Sequence, residues 1–290
     1  MRIFGVYNIK GGVGKTATAV NLAYLSAREG YRTLVWDLDP QAAATYYFRI
    51  RPRIKGGGRK LLKGKRELDG LVKGTDFENL DLLPADFSYR NMDLVLGEAK
   101  KPARQLLRLL RPLSEEFDRI FLDCPPSISL VSENIFRAAD ALLIPSIPTT
   151  LSMRTYQQLL EFLEGHRVKG VNLMPFFSMV DRRKRLHLDI MEHMPIEHPE
   201  VLSSHIPYAS DVERMGIYRK PVASFAPRSA AEQAYERLWD EVKMRLNDPL
   251  ARGLGTPRAP ANACWASSSP TTASASSVSS IGPWPAWRDV

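Results

Sequence analysis

A glycine-rich loop between an apolar run and a helix-like segment is the feature that most constrains this chain. Residues 10–16 have the sequence KGGVGKT, follow the apolar run of residues 3–7, and lead directly into residues 17–27. A strand, a glycine loop and a helix in this order bind phosphate groups. Glycines let backbone N–H groups face the phosphate oxygens, and the helix N-terminus carries positive charge. Residues 10–16 therefore predict a phosphate-binding loop.

Each residue of this loop has an expected contact. Lys15 is expected to reach the β- and γ-phosphates of a nucleotide, and the Thr16 hydroxyl is expected to bind Mg²⁺. Lys10 stands at the start of the loop, where it cannot easily turn back to the same phosphates, so it is expected to serve a facing subunit. A ligand-free glycine turn is the alternative, and Lys15 and Thr16 together argue against it. The backbone contacts are expected from Gly11, Gly12, Val13 and Gly14.

Apolar runs and helical patterns alternate along the chain. Short apolar runs without polar alternation are typical of strands buried on both faces of a parallel sheet. Such strands are predicted at residues 3–7, 33–36, 80–84, 119–123, 140–145 and 168–179. Helical spacing predicts helices at residues 17–29, 103–113, 152–166 and 232–246. The chain is therefore predicted to be an α/β protein with a mostly parallel, twisted sheet flanked by helices.

Carboxylates follow two of the predicted strands. Asp37 and Asp39 come after residues 33–36, and Asp123 ends the run 119–123. The carboxyl ends of parallel strands line the crevice in which α/β sheets bind ligands, so these side chains are expected beside the phosphate loop. Asp39 is expected to orient an attacking water. Asp123 is expected to reach Mg²⁺ through water, and Asp37 is expected to lie in the outer shell of the same metal site. Alternatively, Asp37 and Asp39 only cap the following helix.

Three ordered motifs resemble the ParA/MinD family of dimerising P-loop NTPases. They are the KGGVGKT loop, similar to the deviant Walker A box, the DLDPQ sequence at residues 37–41, and RIFLDCPP at residues 119–126. The resemblance covers residues 1–247. It implies an ATP- and Mg²⁺-dependent ATPase with catalytic residues Lys10, Lys15 and Asp39, in which Lys10 crosses a homodimer interface. Ala17 stands where the family usually has a second threonine, so a contact to the α-phosphate is expected to be lost.

The resemblance also implies a base-binding segment. Residues 178–183 have the order S-M-x-D-x-R, similar to the family's T-M-Y-D-x-R, which places Met179, Asp181 and Arg183 near the nucleotide base. Pro207 lies in a second segment expected to cover the base.

Positive charge is concentrated in one stretch. The chain has a net charge of +8, and residues 49–66 hold nine Lys/Arg and no acid, so the remainder carries −1. This stretch is predicted to be a mobile loop around three glycines. It is expected either to be solvated or to contact nucleic-acid phosphates or anionic lipid. A second cluster occupies residues 182–185. The candidate DNA-binding residues are Arg49, Arg51, Arg53, Lys55, Arg59, Lys60, Arg182, Arg183, Lys184 and Arg185.

Composition sets further bounds. Apolar residues make up 44% of the 290 residues, and no run reaches the roughly 18 apolar residues of a membrane-spanning helix. Cys124 and Cys264 suggest neither a disulfide framework nor a zinc site, and Cys124 is expected to be a packing residue. Residues 1–247 are predicted to form the ATPase domain. Residues 248–290, rich in Pro, Ser, Ala and Thr, are predicted to be a disordered tail.

The resemblance favours an ATPase switch that binds DNA nonspecifically and partitions or positions a cargo. A ParB-like or cargo-adaptor protein is expected to stimulate hydrolysis, and the location is expected to be cytoplasmic and nucleoid-associated when ATP is bound. A MinD-type membrane regulator is less favoured because the tail has no basic amphipathic helix and no membrane anchor is evident. A P-loop amide-forming ligase is the other alternative. An iron–sulfur carrier would need paired cysteines that the sequence does not have.

Overall fold

Seven strands form one sheet in the computed structural model, which describes residues 1–62 and 69–247. The predicted tail and three of the nine cations in residues 49–66 lie outside the described residues. The strands are β1 (Arg2–Val6), β2 (Thr33–Asp37), β3 (Lys73–Gly74), β4 (Leu80–Leu83), β5 (Arg119–Asp123), β6 (Ala141–Ser146) and β7 (Asn172–Phe177). Their order across the sheet is β3-β4-β2-β5-β1-β6-β7.

The sheet is parallel except at one edge. Every neighbouring pair runs parallel apart from the short β3 strand, which is antiparallel to β4. The predicted fold class is therefore confirmed. β5 lies between β1 and β2, and its last residue, Asp123, pairs with both Val6 and Asp37. The phosphate loop after β1 and the carboxylates after β2 and β5 consequently meet at the same edge of the sheet.

Helices cover both faces of the sheet. They are α1 (Lys15–Arg28), α2 (Ala43–Tyr47), α3 (Gly57–Leu62), α4 (Met92–Gly97), α5 (Gln105–Leu110), α6 (Leu130–Ala138), α7 (Thr150–Gly165), α8 (Arg185–Glu197), α9 (Ser210–Tyr218), α10 (Val222–Phe225) and α11 (Ala230–Asn247). One core packs α1 and α11 against the sheet, and the other packs α4 to α7 against the opposite face. Within the described ranges, no helix combines the length and the apolar character needed to cross a membrane.

The basic stretch is more ordered than predicted. Residues 57–62 form α3, and Ile54, Leu61 and Leu62 are buried in the core that holds α4 to α7. The Gly58 N–H donates to the Ser88 hydroxyl at 2.7 Å. The prediction of a mobile loop is wrong for these residues, because Leu61 and Leu62 bury their side chains and so fix α3, which also carries Arg59 and Lys60, to the core.

Helix α11 packs against the sheet through several buried side chains, of which Trp239 is the largest. Trp239 is 2% exposed, and its ring centroid lies 5.6 Å from that of Phe4 and 5.7 Å from that of Phe121. Its indole N–H donates to Glu29 at 3.1 Å, so the polar end of the ring is also satisfied. The same helix leaves Met244 exposed.

Trp239→Ala is expected to lower the free energy of unfolding by about 3–5 kcal/mol, because it leaves a cavity against two sheet residues. Urea unfolding followed by circular dichroism measures the change. Met244→Ala on the same helix is the control, with an expected change below about 0.5 kcal/mol. Equal effects of the two substitutions would show that α11 is not fixed through Trp239.

Candidate nucleotide-binding site

The loop between β1 and α1 depends on glycine at two positions. Gly12 and Gly14 have φ angles of +71° and +91°, in the left-handed region that L side chains rarely adopt. A Cβ added to Gly14 would lie 3.0 Å from the Ser178 hydroxyl, so space is limited there as well. Gly14 immediately precedes α1, whose first residue is Lys15 and whose first turn also contains Thr16 and the buried Ala17. The first N–H groups of a long helix therefore face the loop.

Both lysines of the loop are held by backbone contacts. The Lys15 side chain is 7% exposed, and its ammonium donates to the Lys10 carbonyl at 2.7 Å across the bend. Burial lowers the pKa of Lys15, while the nearby carboxylates of Asp123 and Asp39 act in the opposite direction. Burial also lowers the pKa of Lys10, whose backbone N–H donates to Asn8. The transfer of Lys10 to a facing subunit stays a prediction.

Asp123 is the most strongly perturbed carboxylate of the site. It is fully buried, and neither of its carboxylate oxygens has a hydrogen-bond partner among the described residues. Burial and the neighbouring Asp37 raise the pKa of Asp123 well above its usual range, and Thr16 and Lys15 offset part of this effect. A buried carboxylate without partners is costly, and a divalent cation would remove that cost. Thr16 and Asp123 therefore fit the Mg²⁺ that the phosphate loop implies.

Asp37 has a different environment from Asp123. One of its oxygens accepts from the Thr45 backbone N–H at 2.8 Å and from the Thr45 hydroxyl at 2.7 Å, and the other accepts from the Asp39 N–H at 3.2 Å. Thr45 lies in the first turn of α2, so Asp37 does cap the following helix, as the alternative in the sequence analysis proposed. Burial raises the pKa of Asp37 to about 6.

Asp39 is less buried than the other two carboxylates. One of its oxygens accepts from the Gln41 N–H at 2.9 Å, and the side chain is close enough to Lys15 and Asp123 to influence the pKa of each. Partial exposure beside a buried lysine is compatible with contact to water. Its part in orienting a water molecule stays a prediction.

Asn8 was missed in the sequence analysis. It is 4% exposed, and its side-chain oxygen accepts from the Lys10 N–H at 2.9 Å. Its side-chain nitrogen donates to the Pro145 carbonyl at 2.8 Å, so the first turn of the loop is tied to the carboxyl end of β6. Asparagine between a strand and a glycine turn is a known signal for such a side-chain-to-backbone bond.

The segments expected to bind the base lie together. Val180 and Pro207 form an isolated parallel bridge, and Ser178 lies against Gly14. Asp181 holds Arg183 at 2.9 Å in an ion pair, although the Arg183 side chain is 85% exposed. Met179 has a φ of +55° in the same turn. The structure thus brings these candidates to the edge of the sheet that carries the phosphate loop, and base binding itself stays a prediction.

The candidate DNA-binding cations differ in their neighbours. Four of them form ion pairs with acidic side chains: Arg49 with Asp76, Arg59 with Glu98, Arg183 with Asp181 and Arg185 with Asp189. Arg182 and Lys184 are exposed, and Arg182 lies near His205. Burial lowers the pKa of His205, with Arg182 and Arg237 of α11 adding to the effect. Arg182 and Arg237 therefore both lie near His205, although they are far apart in the sequence.

Asn8→Ala is expected to weaken binding of a fluorescent ATP analogue by about tenfold and to lower the free energy of unfolding by about 1–3 kcal/mol, because the Lys10 N–H and the Pro145 carbonyl lose their partner. Equilibrium titration and urea unfolding measure the two effects. Asn172→Ala removes an exposed side-chain bond to the Asp140 carbonyl and is the matched control. Unchanged nucleotide affinity in Asn8→Ala would contradict the role of Asn8 in shaping the loop.

A family model and two known proteins each match more than half of this chain. A family model described as an AAA domain matches residues 1–172. The chromosome-partitioning ATPase Soj of Thermus thermophilus is 34% identical over 254 residues, which cover 86% of this chain and 98% of the relative. The sporulation initiation inhibitor protein Soj of Bacillus subtilis is 30% identical over 251 residues, which cover 83% of this chain and 98% of the relative.

A solved structure with a different activity also matches. Cobyrinic acid a,c-diamide synthase from Mycobacterium smegmatis, with bound ADP and magnesium, superposes with a TM-score of 0.72. The sequences are 25% identical, and the match covers 84% of this chain and 95% of that one. The fold is therefore shared by proteins with different reactions.

Proposed function

Because the chain belongs to the ParA/MinD family of P-loop ATPases, we propose that it is an ATP-hydrolysing switch that partitions or positions a cargo. In this proposal ATP and Mg²⁺ bind at the loop of residues 10–16, and ATP holds two copies of the chain together with Lys10 reaching the partner's nucleotide. The dimer binds DNA without sequence preference, and a ParB-like or cargo-adaptor protein stimulates hydrolysis.

The observation that carries the proposal is the unpartnered carboxylate of Asp123 beside the phosphate loop. Its two buried oxygens, the Thr16 hydroxyl and the Lys15 ammonium form a set of groups suited to a magnesium–polyphosphate ligand. When bound, Mg²⁺ would neutralise charge on the phosphate oxygens. Lys15 would hold the β- and γ-phosphates, and Asp39 would orient the attacking water and balance its charge.

The basic cluster formed by Arg182, Lys184 and Arg237 is the better candidate for the DNA surface. All three side chains are exposed, and they come from two separate parts of the chain. Arg49 and Arg59 in residues 49–60 are partly neutralised by acidic partners, as are Arg183 and Arg185 in the second cluster. The second cluster is preferred because Arg182 and Arg237 come from separate elements to the same histidine. Contact with a phosphate backbone releases counterions in proportion to the number of cations that bind, so unneutralised cations contribute most.

An amide-forming ligase is the second candidate, favoured by the structural match to the diamide synthase. Such an enzyme would consume ATP only in the presence of a carboxylate acceptor and an ammonia source. ATP turnover that requires DNA or a partner protein, and no carboxylate, would separate the switch from the ligase. The higher identity to the two Soj proteins supports the switch.

Lys15→Ala is expected to abolish binding of a fluorescent ATP analogue, because the loop loses the cation that contacts the phosphates.

Asp39→Ala is expected to retain binding and to slow steady-state hydrolysis by at least about a hundredfold. Phosphate release assays measure hydrolysis, and unchanged unfolding curves verify that both variants are folded. Normal turnover in Asp39→Ala would assign the water-orienting role to another group.

ATP is expected to increase retention of the protein on random-sequence DNA relative to ADP. Retention should fall steeply as salt concentration rises, with a slope of about 0.9 for each phosphate contact in a plot of log affinity against log salt. The variant Arg182→Gln/Lys184→Gln/Arg237→Gln should weaken retention and reduce that slope, and its ATP affinity should not change.

A matched control removes the same charge elsewhere. Arg111, Arg167 and Lys169 are exposed and precede the amino ends of β5 and β7, so their replacement by glutamine should leave DNA retention unchanged. If both triple variants bind DNA like the wild type, residues 49–60 become the stronger candidate. Equal retention with ATP and ADP would contradict the switch itself.

A further inference from the structure

A buried tyrosine at the end of β1 contacts the segment that follows Asp123. Tyr7 is 0% exposed, and its hydroxyl donates to the carbonyl of Ser127 at 3.0 Å. Its ring meets that of Phe136 edge-on, with centroids 4.7 Å apart. The ring therefore packs in the core, while the hydroxyl reaches an irregular segment next to the candidate site.

A second hydroxyl binds the same carbonyl. Ser132, buried in the first turn of α6, donates its hydroxyl to the Ser127 carbonyl and accepts from the Ser129 N–H at 3.2 Å. Ser127 is thus held from β1 by Tyr7 and from α6 by Ser132. A carbonyl oxygen has two lone pairs, so both donors can bind it at the same time.

Residues 124–129 are fixed at both ends and exposed between them. At the start, the Cys124 N–H donates to the Val6 carbonyl at 3.3 Å. Pro126 and Ile128 are exposed. Pro125 and Pro126 have no backbone N–H, and the Ser127 N–H donates within the segment, to the Pro125 carbonyl at 3.0 Å. The position of the segment relative to Asp123 therefore depends on the bonds to Cys124 and Ser127.

Tyr7 also connects this segment to the phosphate loop. Its neighbour Asn8 binds the Lys10 N–H and the Pro145 carbonyl, so consecutive residues contact the 124–129 segment and the carboxyl end of β6. Successive side chains of an extended chain point in opposite directions, which allows two adjacent residues to hold two different elements. If the start of the phosphate loop moved, Tyr7 would transmit that movement to Ser127.

We propose that the Tyr7 hydroxyl, together with that of Ser132, is a positioning group that holds residues 124–129 in register with the phosphate loop during ATP hydrolysis. The inference rests on the proposed ATPase activity. Both hydroxyls bind the Ser127 carbonyl. Each acts through Ser127 on the segment attached to Asp123, so loss of either hydroxyl should affect the rate of hydrolysis more than the binding of ATP.

Tyr7→Phe is the test, because it keeps the ring against Phe136 and removes only the hydroxyl. It is expected to lower kcat about fivefold, the rate equivalent of one ordinary hydrogen bond, and to leave KM within about twofold. Amide hydrogen exchange in residues 127–132 should become faster in the nucleotide-free protein. Ser132→Ala should act in the same direction, and the double variant, which leaves the Ser127 carbonyl without either donor, should have the lowest kcat.

Tyr89→Phe is the matched control. Tyr89 is also buried, and its hydroxyl binds Trp36 and the Pro84 carbonyl outside the segment. It should leave kcat and exchange in residues 127–132 unchanged. The inference is overturned if Tyr7→Phe and Ser132→Ala both show the same kcat and the same amide exchange as the wild type. That result would leave the ATPase proposal intact. A wild-type protein that hydrolyses no ATP would overturn the proposed function, and the exchange measurement would then still show whether the hydroxyls hold the segment.

Discussion

Two carboxylates buried side by side at the end of the central strands are the constraint on which the site depends. Asp37 and Asp123 occupy paired positions on β2 and β5, and both are fully buried. Two negative charges on neighbouring strands in a low-dielectric interior repel each other, and burial opposes the ionisation of each carboxyl group. The cost is tolerable where the protein uses the charges, and such strained clusters are concentrated at functional sites.

The surrounding structure treats the two carboxylates differently. Asp37 accepts three hydrogen bonds, two of them from Thr45, and so contributes to fixing α2 behind the site. Asp123 accepts none from the described residues, and the Lys15 ammonium is the nearby positive charge that offsets its burial. One carboxylate therefore stabilises the fold, and the other is free to interact with a cation. This difference in hydrogen bonding explains why Asp37 and Asp123, which have the same side chain and occupy paired positions, have different predicted roles.

Hydrogen bonds hold the start of the phosphate loop in place, whereas the glycines that follow are conformationally flexible residues. Asn8 ties Lys10 to the end of β6, and Tyr7 ties the same stretch of backbone to Ser127. A loop that must bring several N–H groups within reach of phosphate oxygens gains from rigid supports, because less conformational entropy is lost on binding. The supports come from β6 and from the segment that follows β5, the two strands between which β1 lies.

Local sequence was sufficient for the fold class and for the positions of the glycine loop and of the carboxylates at the strand ends, since glycine spacing and short apolar runs are read from neighbouring residues alone. It was not sufficient for the identity of Thr45 as the donor to Asp37, the burial of Leu61 and Leu62 within a basic stretch, or the positions of Arg182 and Arg237 near the same histidine, His205. Each of these pairs residues that are distant in sequence or depends on what a side chain packs against. Hydrogen bonds and burial of this kind are set by which elements the sheet order brings together, so only the tertiary structure decided them.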